Sequence, residues 1–281
     1  MTRVRQKLLS GLTTAFVGAA CLVLAWRAFG DQPTFGHASS IVPELALDWG
    51  LMPLAAPFFA LLGLLTIAVA VWNASDGRYG WRIAAFAAAM AAVLMARSVA
   101  AFMLSWELMA LASVLVVGAH AEVRAVRRAV FSYLIVSQAG ALGILGALGI
   151  LAANAGDTSF SAIAKAAPHV PDAWRNMALA LALFGFGSKA GLFPLHFWLP
   201  RAHPVAPPNG SAMLSGAMLK IAVYGIILVF FELAAPAGTT WAIVVIAVGA
   251  VSAVGGILYA AIDSDFKRLL AYSSIEHIGI I

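Results

Sequence analysis

The chain has 281 residues, of which 63% are hydrophobic and only 10% are charged, and its mean hydropathy is +0.95. A water-soluble domain of this length does not carry so little charge, so the composition describes a polytopic membrane protein. The formal net charge of +5 points to basic loops flanking membrane spans and not to a nucleic-acid partner. The single cysteine, Cys21, excludes an intrachain disulfide, and no Cys/His metal spacing is present.

A membrane-spanning helix needs about 20 apolar residues. In chain order the hydropathy predicts eight helices, at 8–26, 51–72, 81–98, 99–119, 129–153, 174–199, 210–232 and 240–262. The first follows the basic stretch RVRQK and is expected to be an uncleaved anchor. A signal peptide is the lesser reading, because the apolar run is long and no clean small-residue cleavage site follows. The longest loops are expected at 27–50 and 154–173. Residues 184–200, FGFGSKAGLFPLHFWLP, predict a broken helix: Gly185, Gly187 and Gly191 weaken it, and Pro194 removes a backbone donor. Broken helices are tolerated in a membrane where they line a cavity or water. A ninth helix begins near residue 269 and holds 13 residues up to Ile281, or about 20 Å against a hydrocarbon core of about 30 Å. The chain is therefore expected to be the front part of a longer protein, or a truncated copy. The expected fold is an all-α transmembrane bundle of eight helices and a truncated ninth.

With the N-terminus inside, eleven Lys and Arg residues fall in inside loops and four outside. This bias predicts an N-terminus in the cytoplasm. Trp26, Trp49, Trp72, Trp81, Trp174, Trp198 and Trp241 fall at predicted helix ends, where an aromatic belt belongs. Trp106 alone lies mid-helix.

Three charged residues lie deep in predicted helices: Glu107, Lys189 and Lys220. Each costs about 2.5–3.5 kcal/mol on insertion scales, so they are expected to meet in the bundle interior as a polar row parallel to the membrane. A Glu–Lys pair in such a row holds or releases a proton as the distance between the partners changes. The bland alternative is a static ion pair that fixes helix packing. His196 lies seven residues after Lys189 and would share its helix face. It is either a relay partner or an interfacial donor. Tyr224, one turn from Lys220, is placed to hydrogen-bond along that face. Glu276 and His277 lie in the last helix, where His277 either extends the row or stands apart. His203 is expected in a loop, in a structural role.

Three stretches resemble a known family: LSWELMALASVLVV (104–117), GSKAGLFPLHFWLPRAHPVAPPNGSAMLSGAMLK (187–220) and DFKRLLAYSSIEHIGII (265–281). They are similar to the antiporter-like proton-channel subunits of respiratory NADH–quinone oxidoreductase and membrane-bound hydrogenases. The AHPVAP turn and the IEHIGII ending resemble the formate hydrogenlyase branch most. The likeness runs from about residue 81 to 281, and the first 80 residues share only hydropathy.

The resemblance implies that Glu107, Lys189, Lys220 and His277 form a proton relay. It also implies that redox chemistry in partner subunits drives the relay, and that the chain binds no cofactor of its own. The expected partners are other membrane subunits and a peripheral redox arm, in a prokaryotic plasma membrane. The family fold pairs two inverted five-helix repeats. Here 1–80 would be N-terminal helices and a loop, 81–232 the first repeat, and 233–281 the start of a second that is broken off. Two further readings stand beside the redox-driven one. One is a subunit of a multi-subunit cation/proton antiporter, and the other is a non-transporting scaffold or remnant.

Overall fold

The computed structural model describes residues 2–30, 37–39 and 47–281. Parts of the predicted 27–50 loop lie outside the described residues. The helices follow in chain order. They are α1 (Thr2–Phe29), α2 (Ala56–Asp76), α3 (Gly80–Met95), α4 (Val99–Val117), α5 (Arg124–Ala155), α6 (Phe160–Ala166) and α7 (Asp172–Ala190). After them come α8 (Leu199–Val205), α9 (Pro208–Met213), α10 (Leu219–Ile227), α11 (Gly238–Ile262) and α12 (Phe266–Ile280). Among the described residues seven helical stretches are long and apolar enough to cross a membrane. Two short antiparallel strands, β1 (His37–Ser39) and β2 (Leu47–Trp49), sit beside the bundle with His37 opposite Trp49.

The expected third helix, 81–98, is shorter than hydropathy suggests. It ends at Met95 after 16 residues, with Ala96 already extended. That is about 24 Å, below the thickness of a hydrocarbon core. The stop falls just before the polar pair Arg97–Ser98, whose Arg97 N–H bonds the Asp48 carbonyl at 2.9 Å. Trp49 bridges to Ala96, and Ser98 bridges to Ser159. Ser98 then caps α4 by accepting the N–H of Ala101, satisfying a donor that the first helical turn leaves open. The predicted 154–173 loop likewise holds a short helix, α6, capped by Ser159.

Small residues set how closely the helices approach. A Cβ added at Gly185 on α7 would lie 2.6 Å from the Gly140 carbonyl oxygen on α5, and one at Gly143 would lie 3.0 Å from the Leu181 carbonyl oxygen. Gly185 and Gly187 therefore do not loosen α7 as the sequence suggested. The helix runs unbroken through both, and Gly185 lets α5 pack against it. The break comes later, at Gly191, whose φ of +78° is a conformation glycine adopts at little cost. The N–H of Leu192 bonds the Gly187 carbonyl at 2.9 Å, and the Trp198 indole donates to the Ser188 carbonyl at 2.8 Å. These bonds take up carbonyls that the helix end leaves open. Trp198 is thus buried and is not part of an aromatic belt, whereas Trp26, Trp72, Trp81 and Trp174 are exposed.

The chain from α9 to α10 is one stretch, Pro208–Leu233, interrupted by π-helical turns at Leu214–Met218 and Leu228–Leu233. One end of the bundle gathers the α2–α3 and α4–α5 connections and the starts of α1, α5 and α12. There Tyr79 bonds His120 at 3.0 Å, and the Lys267 ammonium donates to the carbonyls of Pro204 and Ala206 at 3.3 and 3.0 Å.

Candidate functional site

Lys189 lies in the last turn of α7 and is only 2% exposed. A buried ammonium needs acceptors for its protons. Its Nζ donates to Tyr133 Oη at 2.5 Å and to Ser137 Oγ at 2.9 Å, both on α5 one turn apart. It also sits 4.6 Å from the centroid of the Tyr133 ring. The Tyr133 hydroxyl is hydrogen-bonded to Ser113 Oγ on α4 at 2.5 Å and lies 3.7 Å from Met218 Sδ. Trp198 covers the cluster, its ring 4.8 Å from that of Tyr133.

Glu107 is not in the bundle interior. The buried face of α4 is Phe102, Ser105, Trp106, Met109 and Ser113, and Glu107 lies to one side of it, half-buried. Its carboxylate accepts from Gln138 Nε2 at 3.1 Å. Gln138 is the chain neighbour of Ser137, which holds Lys189. Consecutive residues of α5 therefore grip the carboxylate and the ammonium, and no direct ion pair joins Glu107 to Lys189 among the described residues.

Lys220 is half-buried on α10, and its Nζ bonds the Ser215 carbonyl at 2.8 Å, inside the first π-helical turn. Ser215 Oγ donates to the Ser211 carbonyl at 3.1 Å, and Ser211 Oγ lies 2.6 Å from His203 Nδ1. His203 was expected in a loop. It lies in α8, 2% exposed, and its bond to Ser211 Oγ is separated from Lys220 by the backbone carbonyls of Ser211 and Ser215, which only accept.

The other sequence candidates stand apart. The Tyr224 hydroxyl is buried without a partner among the described residues. The Tyr224 ring meets Phe58 edge-on at 5.3 Å, and the anticipated bond along the Lys220 face is absent. His196 does not share a helix face with Lys189, because α7 ends between them. It stacks on Phe193 at 4.9 Å. Glu276 accepts from Ser273 at 3.4 Å, and His277 bonds the Ser273 carbonyl at 2.6 Å, both within α12. The structure therefore brings Glu107 and Lys189 together through α5, and leaves Lys220 and His203 joined only through the backbone of 211–215. It does not bring His196, Tyr224, Glu276 or His277 to either group.

Sequence reasoning missed Tyr133, Ser137, Gln138 and Ser113. A signal was present: Tyr133, Ser137 and Gly140 recur at helical spacing on one face of an apolar helix. It also missed a buried amide pair. Asn209 Nδ2 donates to Asn73 Oδ1 at 2.7 Å, and Asn73 Nδ2 donates to Thr14 Oγ1 at 3.1 Å. Among the described residues no group of three or more His, Cys, Asp and Glu is placed to hold a metal.

A family model described as NADH:quinone oxidoreductase/Mrp antiporter, TM matches residues 96–281. Hydrogenase-4 component B of Escherichia coli (strain K12) is 38% identical over 198 residues, covering 70% of this chain and 29% of that protein. NAD(P)H-quinone oxidoreductase chain 4 1 of a Nostoc species is 32% identical over 282 residues, covering 96% of this chain and 52% of that protein. The latter match extends the likeness into the first 80 residues, where only hydropathy had suggested it. A solved Mrp complex from a Dietzia species superposes with a TM-score of 0.82 at 22% identity, over 99% of this chain and 53% of that one. This last likeness concerns the fold. The chain spans between 29% and 52% of the length of these two curated relatives. With seven apolar helices among the described residues long enough to span a bilayer, and this match over most of its length, the chain is a multi-pass membrane protein and belongs to the NADH:quinone oxidoreductase/Mrp antiporter transmembrane family.

Proposed function

We propose that the chain is part of a proton-translocating membrane subunit of a redox-driven complex of the hydrogenase or quinone-oxidoreductase type. One observation carries this reading. Lys189 is buried with its ammonium held by two neutral hydroxyls, Tyr133 and Ser137, while the nearest linked carboxylate, Glu107, is held one residue along the same helix. A lysine buried for packing alone would pair directly with its counter-ion, because an unpaired buried charge is costly. Hydroxyls both accept and donate, so a proton leaving Lys189 has somewhere to go. The protonation states of Glu107 and Lys189 are coupled through their separation, so a shift of Gln138 against Ser137 changes both.

In this reading the second stage is Lys220, whose ammonium is held by the Ser215 carbonyl at the first π-helical turn. His277 belongs to the proposed relay through the family resemblance alone. Residues 81–232 act as one antiporter-like five-helix unit, and 233–281 begin the next. The N-terminus is cytoplasmic, in a prokaryotic plasma membrane. The partners are other membrane subunits and a peripheral redox arm.

The Mrp likeness in fold, with the Mrp name in the family description, supports a second reading: a subunit of a cation/proton antiporter without a redox partner. Purification from native membranes in mild detergent, with the co-purifying chains identified by mass spectrometry, separates the two. Iron–sulfur or nickel–iron subunits are expected. Small hydrophobic subunits alone would overturn the redox assignment in favour of the antiporter.

A further inference from the structure

At the end of the bundle where α5 begins, a groove of about 1160 Å³ runs between α5, α8 and α12. Arg124 and Arg128 line it from α5, Arg201 from α8 and Arg268 from α12. No Asp or Glu is among its described lining residues. Arg268 is paired with Asp263 at 2.9 Å, and the Arg127 guanidinium is engaged by the carbonyls of Ala121 and Glu122. The groove therefore holds a cationic field from Arg124, Arg128 and Arg201 that no lining carboxylate offsets.

The walls are apolar. Phe131 is 65% exposed and Phe197 is 43% exposed. On α5 the sequence runs Arg124, Arg128, Phe131, Ile135, Gln138 and Leu142 at helical spacing, with Ile135 and Leu142 at 54% and 69% exposure. One helix face thus passes from guanidinium at its first turn to hydrocarbon further along, interrupted by the Gln138 amide, which is engaged by Glu107. A phosphate headgroup carrying acyl chains has that order of chemistry. A phosphate ion or an acidic peptide would use the arginines and leave the apolar stripe uncovered.

We infer that this groove binds an anionic glycerophospholipid, its phosphate between Arg124, Arg128 and Arg201 and its acyl chains along Phe131, Ile135 and Leu142. Basic pockets between helices at a membrane surface select such headgroups, and each arginine contributes about fivefold in affinity.

The test is native mass spectrometry of the delipidated 281-residue chain, titrated with phosphatidylglycerol or with phosphatidylcholine of the same acyl chains. Parent protein is expected to retain phosphatidylglycerol in large excess. The triple variant R124Q/R128Q/R201Q is expected to bind both lipids alike, and the charge-keeping triple R124K/R128K/R201K is expected to keep most of the preference. R201Q alone, which leaves α5 intact, is expected to lose about fivefold and serves if the neutral triple does not insert. Equal retention of the two lipids by the parent, or an unchanged preference in R201Q, overturns the inference. Displacement of the lipid by inorganic phosphate at equal concentration would make this a small-anion site and would also overturn it. So would finding the acidic segment of a neighbouring subunit seated there in the intact complex.

Discussion

Tyr133 carries more of the candidate site than any residue singled out by its charge. Its hydroxyl touches Lys189, Ser113 and Met218, so one oxygen joins α4, α5, α7 and the π-helical turn before Lys220. Tyr133→Phe keeps the ring against the ammonium and removes this junction. Proton flux through the native complex is expected to fall by about tenfold or more, with the protein still inserted. Ser137→Ala removes the other acceptor and should act in the same direction. Glu107→Gln is expected to be at least as severe, since an amide neither takes up a proton nor balances Lys189. His203, expected in a loop in a structural role, lies buried in α8 with its Nδ1 on Ser211 Oγ. No path of hydroxyls joins His203 to Lys220 among the described residues, so His203→Ala is expected to affect proton flux only mildly. A loss as large as that of Glu107→Gln would show that protons do pass by His203.

The charged members of this site were legible in the sequence, because a charge in an apolar helix stands out. The hydroxyls were not, because serine and tyrosine are ordinary in such helices. Their role depends on which helix faces which, and hydropathy does not record that. The same gap explains the misplacement of Glu107. Periodicity marks a buried face on α4 but does not show that the next helix leaves the glutamate at its edge.

At the scale of elements, the interface of α5 with α7 sets the position of Lys189, and glycine makes that interface close. Gly185→Ala would put a Cβ within 2.6 Å of the Gly140 carbonyl oxygen and 2.7 Å of Ile144 Cγ1. The expected cost is about 1–3 kcal/mol, read as a lower thermal midpoint in detergent. Gly149, on the same α5 helix, has nothing within 4 Å of an added Cβ. Gly149→Ala should be neutral or slightly stabilising, by up to about 1 kcal/mol. Equal destabilisation by both changes would contradict this account of the interface. The Asn73–Asn209 pair offers a second test. Asn209→Ala leaves the buried Asn73 amide without one partner, at an expected cost of about 1–3 kcal/mol, in the same assay. The sequence located the break after Lys189 within a few residues, because Gly191 and Pro194 have few other uses in a membrane helix. It misread Gly185 and Gly187 because a packing glycine and a hinge glycine look alike until the neighbouring helix is in place.

For the whole molecule, composition and span length gave the class and most of the helix order without tertiary information, because the bilayer fixes both length and polarity. They overestimated α3, where the apolar run continues past the point at which Arg97 and Ser98 turn the chain toward β2 and α6. The account rests on a division of labour across this bundle. Tight glycine packing of α5 on α7 buries Lys189, α5 couples it to Glu107, and the π-helical turns carry the neighbouring helix past Lys220. The central claim is that Lys189 is a stopping point for a proton and not a packing charge. It is tested by reconstituting the native complex with wild-type chain or with Lys189→Ala at matched membrane levels, and following acidification across the vesicle membrane. The account predicts that Lys189→Ala inserts and assembles normally and translocates no protons. Proton flux equal to wild type in that variant would contradict it.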